Sequence, residues 1–203
     1  ASKPLVLPPS ARNAEAIVWA ANPGMQGGRA VAELLLGLIE PQGRLPISFA
    51  AHAGQQPTYY NQIRGQHGDR YADLTQDPPF VFGEGLSYTW VEYEDLVLDA
   101  EELARDGMLG AEITLRNVGT RPVRETVQVY VSDLITSASW TDQELKAFRQ
   151  IDLEPGEARR IRIEIPVADL TIVDATGRRV VEPGEFELRI ARSSRDVWAQ
   201  RAR

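Results

Sequence analysis

The sequence predicts an α/β segment, incomplete as a domain, followed by an all-β sandwich. Three observations carry this. Residues 16–21 (Ala-Ile-Val-Trp-Ala-Ala) form a continuous apolar run that passes through Asn22-Pro23-Gly24 into an amphipathic helical pattern. Beyond residue 93, short alternating apolar runs recur with turn residues between them. Between the two lies Phe82-Gly83-Glu84-Gly85-Leu86-Ser87-Tyr88-Thr89-Trp90, where the period changes from helical to strand-like. The expected division is therefore 1–81, a joint at 82–93, and 94–203.

Taken in order, residues 1–13 offer Leu5-Val6-Leu7 as an extended arm or edge strand, and Pro8-Pro9 argues against a helix there. Residues 16–20 read as a strand buried on both faces. The turn at 22–28 then opens a helix expected over 29–39. Val31, Leu34, Leu35 and Leu38 share one face, Gly37 weakens the last turn, and Pro41 stops it. A Gly-rich turn between strand and helix is one way to cradle a phosphate, but this one lacks both the Gly-Lys-Ser/Thr ending and GxGxxG spacing. A tight connection is the better account. Leu45, Ile47 and Phe49 alternate as a short strand.

Residues 50–81 carry no periodicity. A loop of that length is either functional or disordered, and Tyr59, Tyr60, Tyr71 and Phe80 favour docking over disorder. Two readings stay open: rings packed over the joint, or a sugar-binding surface with flat apolar faces beside polar groups. In the joint, Gly83 and Gly85 allow a tight turn, and Leu86, Tyr88 and Trp90 then alternate as a strand.

After the joint, strands are expected at 95–99, 110–117, 123–131, 146–153, 159–165, 170–173 and 184–191, closed by Val197-Trp198. About seven strands with turns such as Asn117-Val118-Gly119 and Pro155-Gly156 define a sandwich of immunoglobulin or fibronectin type. Trp140, in polar sequence, is its expected exposed ring. One helix and three short strands cannot close a core by themselves. The α/β segment therefore calls for another polypeptide segment against Val31, Leu34 and Leu38.

Composition narrows the function classes. The 203 residues are 43% hydrophobic and 25% charged, ordinary for a globular chain. A formal charge of -7 disfavours nucleic acid, which needs a basic face. No apolar run approaches the roughly 18 residues of a membrane span. With no cysteine and two histidines, His52 and His67, thiol catalysis and Cys- or His-based zinc sites are excluded or disfavoured. No signal-peptide pattern opens the sequence.

The order of four motifs resembles the C-terminal half of glycoside hydrolase family 3. They are Pro23-Gly-x-x-Gly-Gly-x-Ala-Val-Ala-Glu-Leu-Leu-Leu-Gly, Pro41-x-Gly-Arg-Leu-Pro-Ile-Ser-Phe, Tyr59-Tyr-Asn, and Phe82-Gly-Glu-Gly-Leu-Ser-Tyr-Thr. Glu144-Leu-Lys-Ala-Phe, Leu153-Glu-Pro-Gly-Glu and Gly184-Glu-Phe-Glu-Leu-Arg-Ile are similar to that family's fibronectin III-like module. The resemblance implies the end of a six-stranded α/β sandwich domain followed by a fibronectin type III-like β-sandwich. It implies a parent β-glucosidase or close exo-acting β-glycosidase, retaining, with an aspartate nucleophile and a carboxylic acid/base. Both catalytic groups are expected outside these residues, the nucleophile on a barrel domain and the acid/base upstream in the α/β domain.

Glu84 and Glu33 have no marked catalytic partner, and Asp69, Asp73 and Asp77 are expected to pair with Arg64 or Arg70. No catalytic residue is assigned. Gln55, Tyr59, Tyr60 and Asn61 are the candidates to line an outer sugar subsite or meet a neighbouring subunit. The resemblance implies no cofactor or metal. It implies as partners the N-terminal part of the same hydrolase and a β-glucoside or cello-oligosaccharide, and is compatible with a homodimer. A periplasmic or secreted setting is favoured over the cytoplasm. The alternative is a non-catalytic fibronectin III-like binding or adhesion module. Against it stand residues 16–49, which such a module has no use for, and the scatter of Tyr130, Trp140, Phe148, Phe186 and Trp198, which form no planar row.

Overall fold

The computed structural model describes residues 3–66, 68 and 73–203. His67, Asp69, Arg70 and Tyr71, which figure in the expectations above, lie outside these. An α/β end packs on a β-sandwich, so the expected fold class is observed.

The sandwich places three strands over four. β1 (Val91–Leu98), β2 (Met108–Asn117) and β5 (Ala158–Pro166) form one antiparallel sheet in the order β1-β2-β5. β3 (Val123–Asp133), β4 (Glu144–Leu153), β8 (Phe186–Ala191) and β9 (Gln200–Ala202) form the other, in the order β4-β3-β8-β9. β6 (Ile172–Val173) and β7 (Arg179–Val180) make a small hairpin. Alternation decides which side chains meet between the sheets. Ala111, Ile113 and Leu115 with Ile161, Ile163 and Ile165 face Val127, Val129, Val131, Leu188 and Ile190 in one buried cluster. β1 bulges between Glu94 and Val97, with Asp95 at φ 53°. The last strand lies at Gln200–Ala202, not at Val197-Trp198, and the exposed sandwich rings are Phe148 and Trp198, whereas Trp140 is half-buried and donates to Glu144.

β3 is buried on both faces. Its outer face is covered by the joint and the long loop, which ties the two parts of the chain together.

The α/β end departs from expectation in its local structure. A helical turn, α1 (Pro9–Arg12), begins at the second of the paired prolines. Proline at the first helical position loses no hydrogen bond, so the pair starts a turn where it was expected to forbid one. Residues 17–20 form no strand, and Ile17 and Val18 are exposed. Only Trp19 packs, edge-on to Phe49 at 5.5 Å. A strand needs ladder partners, and none of the described residues supplies them. The helix α2 covers Gly27–Leu35, starting and ending earlier than its apolar pattern.

Its end is a Schellman closure. Gly37 sits at φ 69°, its N–H bonds the Leu34 carbonyl, and the Leu38 N–H bonds the Glu33 carbonyl. The joint and the sandwich then add a second cap. The Tyr88 hydroxyl donates to the Leu34 carbonyl (2.6 Å), and the Arg121 guanidinium donates to that of Gly37 (2.5 Å). Leu35, Leu36 and Leu38 remain exposed, at 66%, 74% and 69%. Among the described residues no helix is long and apolar enough to cross a membrane.

Candidate functional site

The joint is built where three segments meet. Gly83 takes φ 80°, closed to most side chains, and a Cβ there would stand 1.9 Å from Gln128 Oε1. The Glu84 carboxylate closes this turn by accepting from the Val81 N–H, so its role is structural. The segment 41–49 lies alongside: Leu45 N donates to Glu84 O, Gly83 N to Leu45 O, and Phe49 N to Phe80 O. The strand expected at 45–49 is thus reduced to a few bonds with the joint and the end of the long loop. β1 itself starts only at Val91, because Tyr88 is drawn aside to the helix end.

Two polar groups fasten the joint to the sandwich. Gln128 on β3 donates to the carbonyls of Gly83 (3.0 Å) and Arg192 (2.5 Å), and its oxygen accepts from Tyr130. Glu125, 3% exposed, accepts from Tyr93 of the opposite sheet (2.8 Å) and from Arg44 of the α/β end (3.1 Å). Arg44 also donates to Ser87. Burial pushes the Glu125 carboxyl up; Arg44, the Tyr93 hydroxyl and Arg192 oppose this without cancelling it. Burial, then the Glu125 charge, holds the Tyr93 phenol well above its ordinary value. Arg192 lies over the Trp90 ring at 4.0 Å and pairs with Asp196.

The long loop is fastened to the same sheet. Tyr60 stacks on Phe82 (4.3 Å between centroids) and meets Tyr130 edge-on. Its hydroxyl accepts from the Leu145 N–H (3.1 Å). Ile63 bridges Thr141, and Asp142 N donates to Gln62 O. Arg64 reaches the Asp133 and Leu134 carbonyls and faces Asp142. Asp77 pairs with Arg195.

The four candidates therefore divide. Tyr60 is half-buried in the aromatic stack. Gln55 donates to the Thr75 carbonyl and accepts from His52 N, which shapes the loop's first turn. Tyr59 is 60% exposed, and Asn61 is half-buried. Arg44, Glu125, Gln128 and Arg64 were not singled out as site residues. Their partners lie far along the chain, and no local pattern marks them.

The geometry defines a class of protein: an α/β domain end held on a fibronectin III-like sandwich, with an aromatic loop fastened across both. Residues 1–88 match the glycosyl hydrolase family 3 C-terminal domain, and residues 125–194 the fibronectin type III-like domain. The chain belongs to glycoside hydrolase family 3. It is similar to a solved β-glucosidase involved in saponin metabolism from intestinal bacteria, 57% identical with a TM-score of 0.86, covering 91% of this chain and 25% of that one. The periplasmic β-glucosidase of Salmonella typhimurium is 33% identical over 96% of this chain and 27% of its own length. A β-xylosidase of Formosa agariphila is 34% identical, over 95% and 27% respectively. The chain spans about a quarter of the length of the relatives it matches.

Proposed function

We propose that this chain works as the C-terminal part of a retaining, exo-acting β-glycosidase of β-glucosidase type. It would release terminal non-reducing β-D-glucosyl residues only together with the barrel-bearing part of the hydrolase. One observation carries the reading. The α/β end is firmly docked on the sandwich through Arg44, Gln128 and Tyr60, yet leaves Ile17, Val18, Leu35, Leu36 and Leu38 exposed on the rest of its surface. An apolar surface of that kind asks for a covering segment. The relatives named β-glucosidase support glucose as the sugar, and the one named periplasmic supports a periplasmic or secreted setting.

The assay compares the complete protein with this chain alone on aryl β-glucoside, aryl β-xyloside and cellobiose. We expect glucose release with β configuration retained from the complete protein, and no turnover from the chain alone. Preference for the xyloside would move the sugar. Turnover by the chain alone, or tight oligosaccharide binding without any turnover by the complete protein, would replace the reading.

Within that function, Tyr59 and Asn61 face the outer sugar, with Tyr60 anchored between them and Gln55 shaping the turn that leads to them. Stacking on an exposed tyrosine favours longer substrates, so Tyr59→Ala is expected to raise KM for cellotriose with kcat little changed.

A further inference from the structure

We infer that the fibronectin III-like domain clamps the long loop through its β3–β4 connection, residues 134–143, with Arg64 and Tyr60 as the positioning residues. Four loop positions in a run of five are held by that connection and the strands it joins. The Tyr60 hydroxyl takes the Leu145 N–H at the start of β4. The Gln62 carbonyl takes the Asp142 N–H at 2.8 Å, and Ile63 bridges Thr141. The Arg64 guanidinium spans the carbonyls of Asp133 and Leu134 at the end of β3, with Asp142 opposite at 3.8 Å.

The residue types suit the task. A planar guanidinium presents several fixed donors, so one side chain can hold two adjacent carbonyls where an ammonium holds them loosely. The pairing of β3 with β4 is irregular between Val129 and Tyr130, beside the Leu145 N–H that meets the tyrosine. With Tyr60 turned inward, Tyr59 is turned out to solvent. The clamp thus fixes the direction in which Tyr59 points without touching its ring.

The clamp stands on its own contacts; its kinetic consequence rests on the proposed sugar-facing role of Tyr59. Hydrogen–deuterium exchange on the complete hydrolase tests the clamp directly. Arg64→Ala, and Tyr60→Phe as the milder change, are expected to speed exchange of the Asp142 and Leu145 amides, which donate to the Gln62 carbonyl and the Tyr60 hydroxyl, by about fivefold, as losing roughly one net hydrogen bond would. Amides of β8 should not change. Unaltered exchange at the Asp142 and Leu145 amides in both variants overturns the inference.

Kinetics separate the two claims. If the clamp positions Tyr59, Arg64→Ala raises KM for cellotriose with kcat held, Arg64→Lys restores part of it, and adding Tyr59→Ala gives less than the product of the single effects. A flat KM in Tyr59→Ala removes the sugar-facing role, while loosened exchange in Arg64→Ala would still support the clamp.

Discussion

At the scale of single residues, Glu125 is an acidic group taken almost wholly out of water, at 3% exposed. A carboxylate buried to this degree persists only with partners, and it has Arg44, the Tyr93 hydroxyl and nearby Arg192. Replacing Arg44 with Met strands the carboxylate and is expected to destabilise the docked unit by about 3–5 kcal/mol. Glu125→Gln keeps the hydrogen-bonding shape and should cost less; urea unfolding of the complete protein compares the two. The raised Glu125 pKa also has a sign. Between the ordinary carboxylate value, about 4.3, and the raised one, the folded state holds a proton that the unfolded chain has released. The contribution is complete below the ordinary value and is lost as pH rises through the raised one. The stability of the wild type relative to Glu125→Gln should therefore fall as pH rises through that window. None of this was legible locally. Glu125 stands in an alternating strand and Arg44 in a Gly-Arg-Leu-Pro turn, with nothing in either pattern to pair them.

At the scale of elements, the joint depends on glycine 83 and the helix end on groups borrowed from the joint and the sandwich. Gly83→Ala meets both a positive φ and the Gln128 side chain, so a loss above about 1 kcal/mol is expected as a lower melting temperature. Arg121→Ala removes a donor from the last turn of α2, and should cost about 0.5–1.5 kcal/mol; faster amide exchange at residues 36–38 would report it. The sandwich strands were legible because period-two patterning forces one face inward, and most of their ranges hold within a few residues. The helix was legible from its spacing, its end less so, since Gly37 stops it before Leu38 despite the apolar match. Residues 17–20 misled because a buried-type run specifies a strand only where neighbouring strands exist. The long loop was recognisable as docked from its rings, but the inward turn of Tyr60 and outward turn of Tyr59 depend on Phe82 and Leu145, which no spacing rule connects to them.

At the scale of the molecule, one side of the α/β end is satisfied and the other is not. Leu35→Glu together with Leu38→Glu leaves the contacts to the sandwich untouched, and is expected to weaken cohesion of the complete hydrolase. Limited proteolysis should then cut upstream of the helix while the sandwich stays intact; resistance equal to wild type would mean that this face is not covered. The staple between Arg44 and Glu125 has a further consequence, in the time domain of protein synthesis. The two residues are 81 positions apart, so at about 5–20 residues per second the arginine waits roughly 4–16 s for its carboxylate to be made. Through that interval the α/β end has neither its cap from Arg121 nor its anchor on β3. The nascent chain is therefore expected to be at its most chaperone-dependent just before β3 clears the ribosome.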